Sequence, residues 1–450
     1  MLTQHTRLCG LERLEPREML SAAGLAAIQA HPTVLRTAGG PAVAGLRPAQ
    51  VAHAYGFDQL GSVAGSQAAN GTGQTIAIVD AFDDAAIAGD LKTFDSTFGL
   101  AAPPSFQKVN QQGGAGLPSA SPSGDDWTEE TSLDVEWAHA MAPGAKILLV
   151  EAESDYLGDL LTAVACAANA PGVSVVSMSW GCSEFPQETQ LDSYFSTPAG
   201  HGNVTFVASV GDDGVPGLWP AFSPSVVAVG GTGLQTSSSS GSYRTEIGWS
   251  FGGGGFSQYE REPSYQAGVQ SSGVRTIPDV AYDADPQNGF AVCDSLDPYA
   301  TAGWDVIGGT SAGAPQWAAL LAVANAQRAA SHLPALRAAA ADLYQLPIAD
   351  FHDVTAGANG FSAGAGYDLV TGRGSPYANR IVHALASPTI SSVQGSARPV
   401  QSDLPPSALS KLLANRGVVG LVAWDAASGP QRRGHDAWLT WYNSVGAAEE

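Results

Sequence analysis

Short apolar segments alternate with helical patterns through the middle of this chain, and this alternation constrains its fold most. Apolar runs of strand length recur in QTIAIVDAF from Gln74, AKILLVEA from Ala145, VSVVSMSW from Val173, VTFVASVGDDG from Val204 and SVVAVGG from Ser225. Helical patterns cover YLGDLLTAVACAANA from Tyr156 and SAGAPQWAALLAVANAQRAA from Ser311. This order predicts an α/β domain, a mostly parallel sheet with helices on both faces. A functional site is then expected beyond the carboxyl ends of the strands.

The composition is acidic, and it excludes one class of partner. The 450 residues include 20 Lys and Arg against 42 Asp and Glu, which gives a formal net charge of −22. Nucleic-acid binding needs clustered basic residues, so we expect no nucleic-acid partner. The charge fits either an ordinary exported protein or a protein that works in acid, where many carboxylates are protonated. No run of 18 apolar residues occurs, so no membrane-spanning helix is predicted.

The composition also divides the chain into three parts. Residues 1–47 are predicted to be a leader and linker without a full prodomain, 48–387 one domain, and 388–450 a Ser- and Pro-rich linker with an unassigned tail. The leader contains LERLEPREMLSA, which resembles N-terminal sorting segments of some bacterial exported proteins. Its short apolar run, Met19–Ala30, follows three arginines. A secreted, extracellular or cell-surface location is therefore expected.

The string GGTSAGAPQW, Gly308–Trp317, places a serine at the start of a predicted helix. Its glycines permit a tight turn, Thr310 or Ser311 is expected to cap the helix, and Pro315 suits the first helical turn. The positive end of the helix dipole would favour negative charge that develops beside the hydroxyl. A capping Ser or Thr ahead of proline is also ordinary at a helix start, so both interpretations stay open on these residues alone.

The same string is similar to the Gly-Thr-Ser-x-x-x-Pro signature around the nucleophile of subtilisin-like peptidases. Those enzymes use a histidine base in a His-Gly-Thr-His string, and none of the nine histidines here lies in one. The segment IAIVDAF resembles the strand that delivers the subtilisin aspartate, which would correspond to Asp80. Without the histidine that triad is incomplete, so another base is needed.

Two carboxylates four residues apart, Glu130 and Asp134, offer such a base. On a helix they share one face, so they form either a solvated surface pair or a site at which they share a proton. The apolar neighbours Leu133, Val135 and Trp137 favour a buried position.

This segment also carries a resemblance to a known family. Glu-x-x-x-Asp ahead of EWAHAMAPGA resembles the base segment of the sedolisin family, the serine-carboxyl peptidases, which have a subtilisin-like fold with glutamate in place of histidine. The strings SMSWG and ASVGDDG resemble two further sedolisin motifs. From about Gly45 to Ala386 these motifs follow one another in the same order as in the sedolisin family.

The resemblance implies a catalytic set. Ser311 would be the nucleophile, Glu130 the general base, Asp134 the group that orients and proton-couples Glu130, and Asp212 the oxyanion-hole residue. A carboxylate base works best in acid, and an aspartic acid can donate to an oxyanion only when it is protonated. Taken alone, Asp212 could equally be a turn residue between glycines. The set implies an acid-active serine-type endopeptidase that forms an acyl-enzyme with protein or peptide substrates and acts as a monomer.

Two further positions match supporting residues of the family. Asp80 and Trp180 would lie near the glutamate, and Asp80 would help to pass protons. The resemblance alone assigns these roles.

A second motif, DVTAGANGFSAGAGYDLVTGRGSP, is rich in glycine and begins at Asp353. It is either an ordinary glycine-rich turn or a calcium loop, because calcium prefers carboxylate and carbonyl oxygens. The string resembles the calcium loop of the sedolisin family. The resemblance implies one structural ion held by the side chains of two aspartates and by three backbone carbonyls, from Asp353, Asp368, Val354, Gly364 and Gly366.

Two other functions stay open. Some relatives release tripeptides, so a tripeptidyl-peptidase is possible, and a non-catalytic exported binding protein could use the same fold. Sedolisins usually carry a long folded prodomain, whereas about 47 residues precede the mature-like start here, which leaves the control of activity open.

Overall fold

The computed structural model describes residue 25 and residues 28–37, 43–63, 67–122, 126–237 and 241–392. Of the predicted linker and tail, 388–450, the structure describes only Pro388–Ser392, a 3-10 turn, and the rest lies outside the described residues, as does most of the apolar run Met19–Ala30. In chain order the strands are β1 (His31–Pro32), β2 (Leu35–Thr37), β3 (Ser62–Val63), β4 (Gln67–Ala68), β5 (Thr75–Ala81), β6 (Phe106–Asn110), β7 (Lys146–Ala152), β8 (Val173–Met178), β9 (Trp180–Gly181), β10 (Thr205–Ser209), β11 (Val226–Thr236), β12 (Tyr243–Gly248), β13 (Gly255–Arg261), β14 (Val274–Ile277), β15 (Val280–Asp283), β16 (Phe290–Cys293), β17 (Trp304–Gly308), β18 (Phe351–His352) and β19 (Ser375–Pro376). The α-helices are α1 (Pro48–Tyr55), α2 (Ile87–Phe98), α3 (Trp127–Met141), α4 (Leu157–Asn169), α5 (Gly313–Ala330), α6 (Ala339–Gln345) and α7 (Ala378–Leu385).

The central sheet confirms the predicted α/β architecture. Its strands follow the order β12-β11-β10-β8-β5-β7-β6, with β15 also paired to β11. The pairs from β6 through to β11 and β15 are parallel, and β12 runs antiparallel to β11 at one edge. Because strand, helix and strand follow one another along the chain, neighbouring strands point the same way and their carboxyl ends meet at one edge of the sheet.

Helices cover both faces because alternate strand residues point to opposite sides of the sheet. In β5, Ile76 and Ile78 join a core cluster that contains residues of α3 and α5. Ala77 and Val79 join a second cluster, built largely with residues of α4. The continuous burial of β5 explains why its sequence is an apolar run rather than an alternating one.

The structure adds strands that the sequence pattern did not predict. β13 pairs with β14, and β16, β17 and β2 form a separate three-stranded antiparallel sheet. The leader contributes one strand to each of two small sheets: β1 pairs with β9 in a two-stranded sheet, and β2 pairs with β17 in the three-stranded sheet. Residues 28–37, expected to be linker, therefore include segments that pair with β9 and β17 of the domain.

Among the residues described, no helix combines the length and apolar character needed to span a membrane.

Candidate active site

The predicted nucleophile lies in a short turn between a strand and a helix. β17 ends at Gly308, a 3-10 turn covers Thr310–Ala312, and α5 begins at Gly313. Gly309 has φ of 101°, a conformation that glycine adopts without strain. A β-carbon on Gly309 would also collide with a carboxylate oxygen of Asp212. This glycine lets the backbone approach Asp212 closely enough to form the site.

The expectation that Thr310 or Ser311 caps α5 is wrong. The N-cap position is Ala312, and no side chain makes a cap hydrogen bond there. Both hydroxyls are instead taken by carboxylates: Thr310 Oγ1 donates to Asp212 Oδ1 at 2.8 Å, and Ser311 Oγ donates to Glu130 Oε2 at 2.9 Å. The two side chains therefore connect the turn to the site rather than to the helix.

Helix α3 supplies the carboxylate pair, and the surface interpretation of that pair does not hold. Glu130 and Asp134 are both fully buried. Ser179 Oγ donates a hydrogen bond of 2.7 Å to Asp134 Oδ1. Glu130 Oε1 and Asp134 Oδ2 are buried and have no hydrogen-bond partner among the described residues. The pair thus has two buried carboxylate oxygens, one on each residue, that accept no hydrogen bond from the described residues.

Burial and like charge disfavour ionisation of this pair. Burial raises the pKa of Glu130 well above its ordinary value, and Asp134 and Asp80 raise it further, whereas the hydrogen bond from Ser311 opposes the rise. Burial, then Asp80, also raises the pKa of Asp134 well above its ordinary value, against the hydrogen bond from Ser179. Buried carboxylates that feel one another's charge retain protons that isolated ones would lose.

Of the two supporting positions, Asp80 lies near this pair, and Trp180 contacts the strand that carries Asp80. Asp80 is fully buried in β5 and raises the pKa of both Glu130 and Asp134 through its charge. Burial, reinforced by Asp84, raises the pKa of Asp80 itself to about 7, although the nearby Thr131 side chain opposes this. Trp180, also fully buried, donates from Nε1 to the carbonyl of Val79 at 2.8 Å, which ties β9 to the strand that carries Asp80.

Asp212 is placed to act as a hydrogen-bond donor. Its Oδ1 accepts from the backbone N–H and the hydroxyl of Thr310, both at 2.8 Å. Its Oδ2 is buried without a hydrogen-bond partner among the residues described. Burial raises the pKa of Asp212 to about 7, even though the bonds from Thr310 oppose the shift. In acid the group is therefore neutral, and a proton on Oδ2 is free to be donated.

The leader runs through this site, a feature that no sequence motif indicated. The Ser311 backbone N–H donates to the Thr33 carbonyl at 3.2 Å, and the hydroxyls of Thr33 and Ser311 are 2.7 Å apart. A β-carbon on Gly309 would collide with that carbonyl oxygen as well as with Asp212 Oδ2, so the two oxygens are neighbours. The Thr33 carbonyl thus occupies the place where Ser311 N–H and Asp212 converge.

On either side of Thr33 the leader pairs with the walls of the site. His31 lies opposite Gly181, and Leu35 lies opposite Gly308, both in antiparallel register. Thr33 N–H also donates to the Ser179 carbonyl at 3.3 Å. Antiparallel pairing of an extended segment between two strand edges is a common mode of peptide recognition.

The glycine-rich loop brings its two aspartates onto one stretch of backbone. Asp353 accepts from Gly366 N–H at 3.0 Å, and Asp368 Oδ2 accepts from Gly364 N–H at 2.9 Å. The Val354 carbonyl faces the Thr371 hydroxyl at 3.5 Å in the same loop. Both carboxylates therefore approach the backbone N–H groups of residues 364–366, and carboxylates together with backbone carbonyls are the donors that a hard cation such as calcium prefers.

Comparison with known proteins agrees with the architecture. The profile of the subtilase family matches residues 115–344. Kumamolisin of Bacillus sp. (strain MN-32) is 35% identical over 377 residues, which cover 75% of this chain and 63% of that protein. Sedolisin of Pseudomonas sp. (strain 101) is 33% identical over 333 residues, which cover 64% of this chain and 53% of that protein. The chain thus spans somewhat more than half the length of these relatives.

A solved structure of a related protein has a similar fold. Pseudomonas sedolisin, a serine-carboxyl proteinase complexed with two molecules of pseudo-iodotyrostatin, superposes with a TM-score of 0.64 at 27% identity and covers 76% of this chain and 98% of that one. Together with the match over residues 115–344, this places the chain in the subtilase family, within its sedolisin group.

Proposed function

We propose that the chain is an acid-active serine endopeptidase that cuts peptide bonds through an acyl-enzyme. The hydrogen bond of 2.9 Å from Ser311 Oγ to Glu130 Oε2 carries the proposal, because it joins a nucleophile to a base. The neighbouring Ser311 N–H and Asp212 point to one oxygen position, now held by the Thr33 carbonyl. Nucleophile, base and oxyanion donors are the parts that acyl transfer needs.

The proposed reaction has two matching halves. Ser311 Oγ attacks the peptide carbonyl carbon while its proton passes to Glu130, and the oxyanion receives hydrogen bonds from Ser311 N–H and the protonated Asp212. Glu130 then gives the proton to the leaving amine as the C–N bond breaks, and the acyl group stays on Ser311. In the second half, a water molecule gives a proton to Glu130 and attacks the ester carbonyl carbon. Glu130 then returns the proton to Ser311 Oγ as the ester C–O bond breaks and the acid product leaves.

Asp134 and Asp80 would set the proton content of the site. One proton shared by Glu130 and Asp134 satisfies their two lone acceptors and leaves a single negative charge on the pair. The hydroxyls of Ser311 and Ser179 both donate to that charge. Asp80, with its pKa near 7, stays neutral in acid and adds no further repulsion. We infer that acid is needed so that three neighbouring carboxyls carry one charge between them.

The path of the leader favours an endopeptidase over a tripeptidyl-peptidase. If Thr33 is the residue just before the cut bond, His31 is the third residue before that bond. In a tripeptidyl-peptidase the N-terminus of the substrate lies at this third residue, so the cleft would be closed on its far side. The leader continues past that point: Ala30 N–H donates to the Asp155 carbonyl at 2.9 Å, and Gln29 forms a bridge with Tyr156. The cleft thus accepts chain beyond the third position, as an endopeptidase requires.

The test of this function is peptide hydrolysis by the full chain between pH 2 and 8. We expect a maximum below neutral pH, with loss as pH rises through about 7, because Asp212 then ionises and ceases to be a donor. Toward lower pH we expect a second loss, when the Glu130–Asp134 pair takes up its second proton and no base remains. Because burial raises the pKa of both groups, this loss should begin at a higher pH than it would for exposed carboxylates. Highest activity at neutral or alkaline pH would contradict the mechanism. Absence of hydrolysis throughout would favour the binding-protein alternative.

We also propose that the loop Asp353–Pro376 holds one structural calcium ion, through the Asp353 and Asp368 side chains and the carbonyls of Val354, Gly364 and Gly366. The support is the approach of both carboxylates to residues 364–366. The ion would neutralise the two carboxylates and fix the loop, and it takes no part in the chemistry.

Removal of calcium tests the loop without reference to activity. Chelation of the full chain should lower the melting temperature by roughly 5 °C, because an ion that binds only the folded state stabilises it. Calcium, and not an equal amount of magnesium, should restore the original value, since the larger ion fits a loop of carboxylates and carbonyls better. An Asp368→Asn variant should show little response to the chelator. An unchanged melting temperature in the wild type would contradict the site.

The setting of the activity is a further part of the proposal. We propose that the protein is exported and acts as a monomer on protein or peptide substrates outside the cell. Its net charge of −22 supports work in acid, where protonation of carboxylates relieves the repulsion between them.

A further inference from the structure

Beyond Thr33, the leader places one basic side chain among four carboxylates. Arg36 Nη1 lies 2.5 Å from Asp297 Oδ2, and its Nη2 lies 3.3 Å from Asp126 Oδ1 and 3.6 Å from Glu129 Oε2. The guanidinium also lies over the Tyr299 ring, 4.9 Å from its centroid. Its side chain is only 27% exposed, so the contacts are partly shielded from water.

The carboxylates come from separate parts of the fold, and we call them the acidic pocket: Asp126, Glu129, Asp297 and Asp305. Glu129, Asp297 and Asp305 each offer an oxygen within 4.8 Å of the others. Glu129 is 3% exposed, and its Oε1 has no hydrogen-bond partner in the described part of the chain. Buried acids this close repel one another unless a cation joins them. Arg36 is that cation here, and it belongs to the segment that occupies the cleft.

The acidic pocket is connected to the catalytic residues by the backbone. Glu129 precedes the proposed base Glu130 in α3, and Asp305 lies in β17, which leads directly to Ser311. In the β2–β17 pair Arg36 is opposite Ile307, so its side chain lies on the strand face that also carries Asp305, two residues earlier. The pocket therefore holds a fixed position along any chain that pairs with β17.

The register identifies which substrate residue would reach the acidic pocket. The Thr33 carbonyl lies at the proposed oxyanion position, so the bond presented to Ser311 is Thr33–Val34. Arg36 is then the third residue beyond that bond. The leader binds as a substrate would, in extended antiparallel register on both sides of the bond.

We propose that the acidic pocket is a specificity subsite, which selects peptide substrates with arginine or lysine at the third position after the cut bond. The inference rests on the proposed peptidase function and adds a substrate class to it. Arginine suits the pocket better than lysine, because its planar guanidinium reaches several carboxylates at once and stacks on Tyr299.

Synthetic peptides of the leader sequence test the subsite directly. Internally quenched QAHPTVLRT, and versions with lysine, glutamine or glutamate in place of arginine, are given to the full chain, kept in acid until its rate of hydrolysis is constant. We expect kcat/KM to be roughly tenfold or more higher for arginine than for glutamine, with lysine between them and glutamate lowest. Mass spectrometry should place the cut between the threonine and the valine. Equal rates, or a cut at another bond, would overturn the subsite.

Variants of the enzyme separate the acidic pocket from a general effect of charge. In Asp297→Asn the ratio of kcat/KM between the arginine and glutamine peptides should fall toward one. Asp58→Asn, which removes an exposed charge elsewhere, is the matched control and should leave the ratio unchanged. If both variants reduce the ratio equally, the preference is a long-range charge effect and the proposal fails.

A second measurement decides the matter if no peptide is cut, a result that would refute the proposed function. In a full-length Ser311→Ala background, amide hydrogen exchange reports how firmly residues 33–37 are held. Arg36→Gln should raise their exchange rates roughly tenfold, whereas Arg261→Gln, an exposed control, should not. Unchanged exchange in Arg36→Gln would overturn the acidic pocket as a site for basic side chains.

Discussion

Replacement of Ser311 by alanine is expected to lower kcat/KM for peptide hydrolysis on the order of 10⁴-fold or more at every acidic pH. The hydroxyl both attacks the substrate and passes its proton to Glu130, over a hydrogen bond of 2.9 Å, and alanine can do neither. The measurement is hydrolysis of a quenched peptide by wild type and variant at the pH of maximum activity. The remaining rate would come from the oxyanion site and from substrate binding.

Two controls show that the loss is chemical. Ser311 is fully buried and alanine is smaller, so the variant should fold, and an unchanged circular dichroism spectrum would confirm this. Glu130→Gln keeps the shape of the side chain but cannot accept the proton, and groups that act as a unit lose similar amounts when either is removed. Substantial hydrolysis by Ser311→Ala, or full activity in Glu130→Gln, would rule out the proposed mechanism.

The second large effect is expected on stability, which should decrease as the pH rises from about 4 to about 8. Burial raises the pKa of Asp80, Asp84 and Asp212 from 3.8 to about 7 in each case. Below pH 3.8 these groups are protonated in both the folded and the unfolded chain. Between 3.8 and about 7 the unfolded chain releases protons that the folded chain retains, so each increment of pH favours unfolding.

The size of this effect can be compared with the stability of an ordinary domain. A carboxyl pKa moved from 3.8 to about 7 corresponds to about 4 kcal/mol, against a typical total of roughly 5–15 kcal/mol. The melting temperature, followed by circular dichroism, should therefore fall by roughly 10 °C between pH 4 and pH 8. Asp212→Asn keeps both bonds from Thr310 and cannot ionise, so its curve should be flatter. A wild-type melting temperature that is constant or rises over this range would contradict the prediction.

The sequence predicted the five inner strands of the central sheet, β11, β10, β8, β5 and β7, and it named the serine and carboxyl side chains that the structure brings together. Buried parallel strands appear in sequence as continuous apolar runs, and β5 and β8 are buried throughout. The spacing of Glu130 and Asp134 restricts them to one side of a helix, whatever the rest of the fold does. The serine string and the two glycine-flanked aspartates at 212 and 213 are local motifs, so they too can be recognised from the order of residues alone.

Features that depend on distant partners could not be predicted in this way. HPTVLRT contains proline, is short and has no repeating pattern, and it becomes strand only because edges at Gly181 and Gly308 pair with it. The helix cap predicted at Ser311 is wrong for a similar reason. The Ser311 hydroxyl donates its hydrogen bond to Glu130, which lies 181 positions earlier in the chain. The acidic pocket combines two stretches of the sequence, 126–129 and 297–305, which lie far apart in the chain, and no motif connects them.

The pairing of the leader on both sides of Thr33 limits which proteins can be substrates. A chain that enters this cleft must offer its own backbone donors and acceptors to β9 and β17 at the same time. Inside a folded protein those groups are already paired with helices and sheets. On the proposed activity, the enzyme cuts polypeptides that have lost their native structure, and acid lowers the stability of proteins whose paired carboxylates become protonated, which makes such chains more available.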